Sequence, residues 1–226
     1  MPNVIIQSHT TKNPITMIGE EAGICWGSDT SDPAKNYKRG IGCLENQHGR
    51  TFEFPDVYMI LDGYSARVIR EWYTHIGGMP TRLQASTRYI EYYKDDFAYV
   101  TPPSIANNPE TKEIYDECMD KIIETGYRLA RRGISKEDIA MILPLGMETK
   151  IVCKHNLRNL VYMSHQRECS RAYHEYRELF RDVKKALSEY SEEWKYLIDT
   201  YFMPKCEYLG YCPEKYSCGR KPKKSE

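Results

Sequence analysis

The sequence predicts an α+β fold, and three observations lead there. Short apolar runs bounded by turn residues stand at 4–6, 57–61 and 145–153. Long apolar stripes at helical spacing cover 111–131 and 156–189. No Gly-x-Gly-x-x-Gly follows a strand, and there is no phosphate-binding loop and no Gly-x-Ser-x-Gly elbow. The doubly wound nucleotide-binding folds and the serine-hydrolase fold therefore have no support.

Taken in order, Val4-Ile5-Ile6 reads as a strand, and residues 7–50 read as irregular with one or two short helices. Pro55 marks an edge or bulge at the start of the 57–61 strand, and Asp62-Gly63 reads as a turn. A helix over 64–73 carries Ala66, Ile69, Trp72 and Tyr73 on one face. Gly77-Gly78-Met79-Pro80 interrupts the chain, because Gly and Pro both disrupt helix interiors. Behind the break stand Thr81, Arg82, Gln84, Ser86, Thr87 and Arg88, a mixture suited to gripping an anionic, hydrogen-bonding ligand. The alternative is a polar turn between two core elements.

Tyr89-Ile90 and Tyr92-Tyr93 read as a short extended piece, and 94–110, with its prolines and asparagines, as a loop. The clearest helix runs from Thr111 to Arg131 on a stripe of Ile114, Tyr115, Cys118, Met119, Ile122 and Leu129, with Gly133 closing it. Ser135 to Asp138 forms a capping-box-like start to a short helix ending before Pro144. From Asn156 to Glu189 the stripe of Leu157, Leu160, Val161, Tyr176, Leu179, Phe180, Val183 and Leu187 predicts one long or two abutting helices. Between its halves lies a polar patch, 164–171, that reads equally as a solvated face or as a site containing Arg167.

Lys plus Arg (32) cancels Asp plus Glu (32), so no global field favours nucleic acid or an anionic membrane, and any anion site must be local. No basic leader precedes an apolar run and no stretch of about 18 apolar residues occurs, so neither a secretory signal nor a membrane span is expected. The eight cysteines are scattered through a chain of ordinary size, which fits reduced thiols in a cytoplasm. Cys206, Cys212 and Cys218 stand six residues apart without the close pair that zinc usually takes, so they read as packing of a closing loop, with no metal assigned. The expected organisation is a single catalytic domain over 1–202 and a Cys-containing extension with a basic end over 203–226.

Two stretches together resemble the flavin-dependent thymidylate synthase family. One is His48-Gly-Arg-Thr-Phe-Glu53 followed by Gln84-Ala-Ser-Thr-Arg-Tyr89. The other is Ile142-Leu-Pro-Leu-Gly-Met-Glu-Thr-Lys150 followed by Asn156-Leu-Arg-Asn-Leu160 and Arg167. The resemblance covers roughly 48–185. It implies a central mixed or antiparallel sheet flanked by long helices. It also implies a homotetramer with shared active sites, and reductive methylation of dUMP to dTMP with FAD, NADPH and methylenetetrahydrofolate. By the same resemblance Glu71, Gln84, Ser86, Arg88 and Arg167 would contact dUMP, with Arg167 the catalytic cation beside the uracil. His48, Glu53, His75, Arg82, Asn156 and Arg158 would lie at FAD.

The chain departs from the family pattern where Thr74-His75-Ile76 replaces Arg-His-Arg, where Ala140 replaces an arginine, and where Tyr162 and Arg171 replace an asparagine and a histidine. Arg82, with Arg70 or Arg171, is expected to restore the lost charge. These departures leave two alternatives open: an enzyme of the same fold acting on another pyrimidine nucleotide, for example by hydroxymethylation, and a nucleotide- or flavin-binding protein without turnover. The choice between NADPH and NADH is also left open.

Overall fold

A computed structural model describes residues 2–94 and 97–224. Four strands, β1 (Asn3–Ile6), β2 (Asp56–Ser65), β3 (Thr81–Gln84) and β4 (Glu148–Asn156), form an antiparallel sheet in the order β1-β2-β4-β3. Ten α-helices accompany it among the described residues: α1 (Pro14–Cys25), α2 (Pro33–Glu45), α3 (Ala66–Trp72), α4 (Pro103–Ala106), α5 (Pro109–Ala130), α6 (Lys136–Ile139), α7 (Leu157–Arg167), α8 (His174–Tyr190), α9 (Glu192–Tyr201) and α10 (Lys205–Leu209). The α+β class expected from the sequence is the class observed.

The chain gathers into two compact units. The first comprises Met1–Asn3, Leu61–Tyr73 and Leu83–Ile151; the second comprises Val4–Ile60, Thr74–Arg82 and Val152–Glu226. In the first, Phe97, Met119 and Met147 are buried, with Tyr92, Tyr99, Tyr115, Ile122, Ile123 and Leu143 packed against them. The stripe expected on α5 is therefore partly displaced: Met119 faces inward, whereas Ile114 and Cys118 are exposed. In the second unit, Leu157, Leu160 and Met163 of α7 are buried, as are Tyr176, Leu179, Phe180, Val183 and Leu187 of α8 and Trp194 of α9. The 156–189 stretch is thus two helices, parted where the polar patch ends.

Three local readings are corrected. Residues 7–50 hold two full helices of 12 and 13 residues. Asp32 caps α2 by accepting from the amides of Ala34 and Lys35, and Pro33 stands in its first turn, where no amide is needed. Glycines weakened the apolar signal here because they form the contact between α1 and α2 themselves. A Cβ on Gly19 would lie 1.7 Å from the Asn36 carbonyl oxygen. Gly19→Ala is therefore expected to destabilise the protein by about 1–3 kcal/mol, since backbone rather than a pliable side chain must move. A urea midpoint unchanged in this variant would contradict that packing.

Asp62-Gly63 is not a turn, because β2 continues through it with Gly63 at φ +76°. One positive-φ residue kinks a strand as a bulge without ending it. The segment 89–93 forms turns rather than an extended piece. Other readings are met: Ser135 accepts from the Asp138 amide at the start of α6, and α3 ends before the Gly-Gly break. Among the described residues, no helix is long and apolar enough to cross a membrane.

Candidate functional site

In the second unit the site is organised by the two ends of α7. At its start Asn156 is the N-cap, its side chain accepting from the Asn159 amide at 2.8 Å. The same side chain donates to the Gly78 carbonyl at 3.4 Å. Gly78 has φ +72°, and a Cβ there would come within 2.5 Å of the Asn156 amide nitrogen. The Gly-Gly break therefore lets the loop close onto the α7 cap, which is its visible use here.

One turn along α7, the Asn159 side-chain oxygen lies 2.6 Å from Nδ1 of His155, a histidine with no exposure. An amide oxygen only accepts, so His155 carries its proton on Nδ1. That contact turns Nδ2 of Asn159 away, and this nitrogen is buried without a hydrogen-bond partner. The residue Asn159 lines a cavity of about 350 Å³ with Glu53, Gly77, Gly78, Asn156, Arg158 and Tyr162. Buried donors rarely stay unpaired, so Nδ2 marks a place where an acceptor belongs. Arg158 donates to Glu53 at 2.5 Å and Arg50 donates to the other Glu53 oxygen at 2.9 Å. These two arginines, Arg158 foremost, hold the Glu53 carboxyl below its ordinary range.

At the far end of α7, the Arg167 guanidinium is held from three sides. Its Nε donates to Nε2 of His75 at 2.8 Å, a second nitrogen faces the Thr74 hydroxyl at 3.4 Å, and the plane lies 4.6 Å from the centre of the Tyr176 ring. His75 is buried and accepts with Nε2, so it must be a neutral imidazole. Burial, then Arg167 and Arg82, push its pKa down to about 4. Burial likewise pushes His155 down to about 4, against the opposing contact with Asn159. A neutral histidine beneath a guanidinium fixes the cation without neutralising it. Such a cation can stabilise negative charge that develops during a reaction.

His48 is exposed and lies edge-on to Trp26, with ring centres 6.4 Å apart; a Cβ on its neighbour Gly49 would lie 3.7 Å from the Arg158 guanidinium. Arg82 acts on the second unit through its charge on His75 and His155. Arg171 turns toward the C-terminal tail, donating to Glu214 at 3.1 Å and to the Tyr216 carbonyl at 3.4 Å.

The first unit carries Glu71, Gln84, Ser86 and Arg88. Glu71 lies 4.0 Å from Arg67, one helical turn away. Gln84 ends β3 and donates to the Thr149 hydroxyl at 3.3 Å. Ser86 folds the chain after it, its hydroxyl accepting from the Arg88 amide at 3.2 Å. Arg88 pairs with Glu137, both side chains more than half exposed. An exposed pair of this kind contributes about 0–1 kcal/mol, so a phosphate can displace the carboxylate at little cost. A second cavity of about 320 Å³ in this unit is lined by Asp62, Gly63, Ala85, Ile90, Tyr92, Glu148, Thr149 and Lys150.

Sequence reasoning missed Asn159. The only available signal was its position, one turn after a capping asparagine and on the same helix face. The buried Nδ2 that gives it significance is visible only in three dimensions.

Comparison with known proteins places this geometry in context. The family model described as "thymidylate synthase complementing protein" matches residues 7–191. A protein from Nitratidesulfovibrio vulgaris named flavin-dependent thymidylate synthase is 29% identical, the alignment covering 98% of this chain and 96% of that one. One of the same name from Thermococcus onnurineus is 33% identical over 133 residues, 58% of this chain and 54% of its own length. The crystal structure of thymidylate synthase X from Helicobacter pylori with FAD and dUMP superposes with a TM-score of 0.67 at 18% identity, covering 89% of this chain and 99% of that one. At that identity the likeness establishes the fold.

Proposed function

The chain belongs to the thymidylate synthase complementing protein family, and from that membership we propose that it is a flavin-dependent thymidylate synthase converting dUMP to dTMP. Methylenetetrahydrofolate supplies the one-carbon unit and NADPH the reducing equivalents. Bound FAD supplies the hydride chemistry of the reaction.

The α7 cavity fits a flavin. An isoalloxazine presents carbonyl and ring-nitrogen acceptors along one edge, and the buried Asn159 Nδ2, with Asn156 and Arg158, supplies donors for such an edge. The departure from the family pattern at Tyr162 leaves a phenol on the cavity wall, able to cover an aromatic ring. Arg167 is the catalytic cation, stabilising negative charge on the pyrimidine as its C5 becomes nucleophilic, and His75 positions it. Arg88 exchanges Glu137 for the nucleotide phosphate, and Gln84, Ser86 and Glu71 supply polar contacts to the nucleotide. His48, Glu53 and Arg82 complete the surroundings of FAD, Glu53 through its hold on Arg158. The working form is a homotetramer in the cytoplasm, residues 1–202 forming the catalytic domain and 203–226 an extension.

The single observation that carries the catalytic reading is the Arg167 guanidinium, fixed on a histidine that burial keeps neutral. The purified protein is expected to bind FAD with a flavin absorbance. It is also expected to form dTMP, identified by mass, from dUMP, methylenetetrahydrofolate and NADPH. A colourless protein indifferent to added FAD would reject the reading. Product from dCMP but not from dUMP would move the activity to another pyrimidine.

A further inference from the structure

Within the second unit, α10 and the tail beyond it fold against the C-terminal part of α7. Arg220 donates to the Glu168 carbonyl at 3.4 Å, and Arg171 binds Glu214. Between these contacts lies a cavity of about 90 Å³ whose wall contains Cys169, Cys206, Cys212, Cys218 and His165. Three of the thiols come from the evenly spaced tail cysteines. The other two donors come from the body of the unit, and the fold brings all five to one place.

His165 is the informative member. Its ring hydrogen-bonds to the Tyr201 backbone and stacks on Tyr208, ring centres 4.9 Å apart. Its Nε2 is buried without a hydrogen-bond partner. A histidine anchored through one nitrogen to a backbone carbonyl, with its other nitrogen unpartnered and four thiols on the same cavity wall, has the anchoring of a metal ligand with its supporting hydrogen bond. The charge around the cavity agrees. Lys205, Lys221, Arg171 and Arg220 line the same wall with Glu214; Arg171 pairs with Glu214 and Lys221 with Glu207, and the excess of cations offsets negative charge on thiolates.

We propose that Cys206, Cys212 and Cys218, with a fourth donor from His165 or Cys169, bind one thiophilic divalent cation, zinc foremost. Thiolate and imidazole donors in a closed four-ligand set are what structural zinc takes. Among the described residues, no three such donors are already closed around one point. Binding therefore draws the tail inward, and each ligand thiol releases its proton to solvent as its zinc–sulfur bond forms. Cys169 follows Arg167 by two residues, so the ion would clasp the tail to the turn that ends the helix carrying the catalytic arginine. Four protein donors leave no open position for water or substrate, so the role is structural.

Metal content decides the matter independently of activity. Full-length protein purified without chelator from zinc-supplemented medium is expected to hold about one zinc per chain by mass spectrometry of the elements. Thiols reactive to a colorimetric disulfide reagent are expected to increase when a chelator removes the metal. Cys212→Ser is expected to lower the zinc content at least tenfold. Whichever of His165→Gln and Cys169→Ser also loses zinc contains the fourth ligand, and zinc retained in the double variant would overturn that part of the assignment. Wild-type protein with only trace zinc overturns the proposal even if the Cys212 variant does not fold. So does iron accompanied by inorganic sulfide, or an intact mass showing disulfides between these cysteines.

Discussion

Arg167→Ala is expected to lower kcat for dTMP formation by about 10²–10³-fold, the usual consequence of removing one preorganised donor from a developing negative charge. The size of the effect follows from how firmly the guanidinium is fixed. Its Nε is bound to His75, another nitrogen faces Thr74, and its plane rests on Tyr176, so its orientation is set before substrate arrives. Arg167→Lys restores a positive charge but not the planar fork, and should recover only part of the loss. Flavin absorbance and the unfolding midpoint serve as controls, because the cavity proposed for the flavin lies at the opposite end of α7. If the alanine variant turned over within a few-fold of wild type with flavin content unchanged, the catalytic role of Arg167 would be rejected.

Acidification from pH 7 to pH 4 is expected to remove a large part of the folding stability. His75 and His155 are each pushed from 6.5 to about 4 by burial in the folded chain. Between those values the unfolded chain binds protons that the folded chain does not, so stability rises with pH across the window. The contribution of the two neutral histidines is complete above pH 6.5 and is lost as pH falls toward 4. It amounts to on the order of 3 kcal/mol for each, against total stabilities of about 5–15 kcal/mol. Glu168 opposes the trend, because burial raises its carboxyl pKa and the folded state takes up that proton more readily. Urea midpoints at pH 7, 5.5 and 4.5 measure the slope, and His75→Gln should flatten it by roughly half. A midpoint constant over that range would show that neither histidine is kept neutral by the fold.

The two halves of α7 show how far the sequence could be read. Asn156 and Arg158 were named as flavin contacts, and both line the α7 cavity. The helix itself follows from a capping asparagine ahead of an apolar stripe, which is local information. Asn159 carries no such expectation, because its role depends on His155 holding its amide oxygen so that Nδ2 is left buried without a partner. His75 and Arg167 were both named but for separate ligands, and the structure joins them directly at a separation of 92 residues. Arg171, expected to restore lost charge at the nucleotide, donates to Glu214 of the tail, both side chains about half exposed.

The sequence by itself determined the α+β class, most of the longer helices, the sheet's two principal strands and the family. These depend on periodicity, turn chemistry and motif order, which are read along the chain. Tertiary structure alone decided that α1 and α2 are full helices, since glycine and backbone make much of their contact and only a short apolar period, Ile15, Ile18 and Ala22, remains along α1. It alone decided that His75 supports Arg167, that Asn159 presents a buried donor, and that Cys169 and His165 share a cavity with the tail cysteines. Periodicity reports which face of an element is buried, whereas the group a side chain meets there depends on residues distant in sequence.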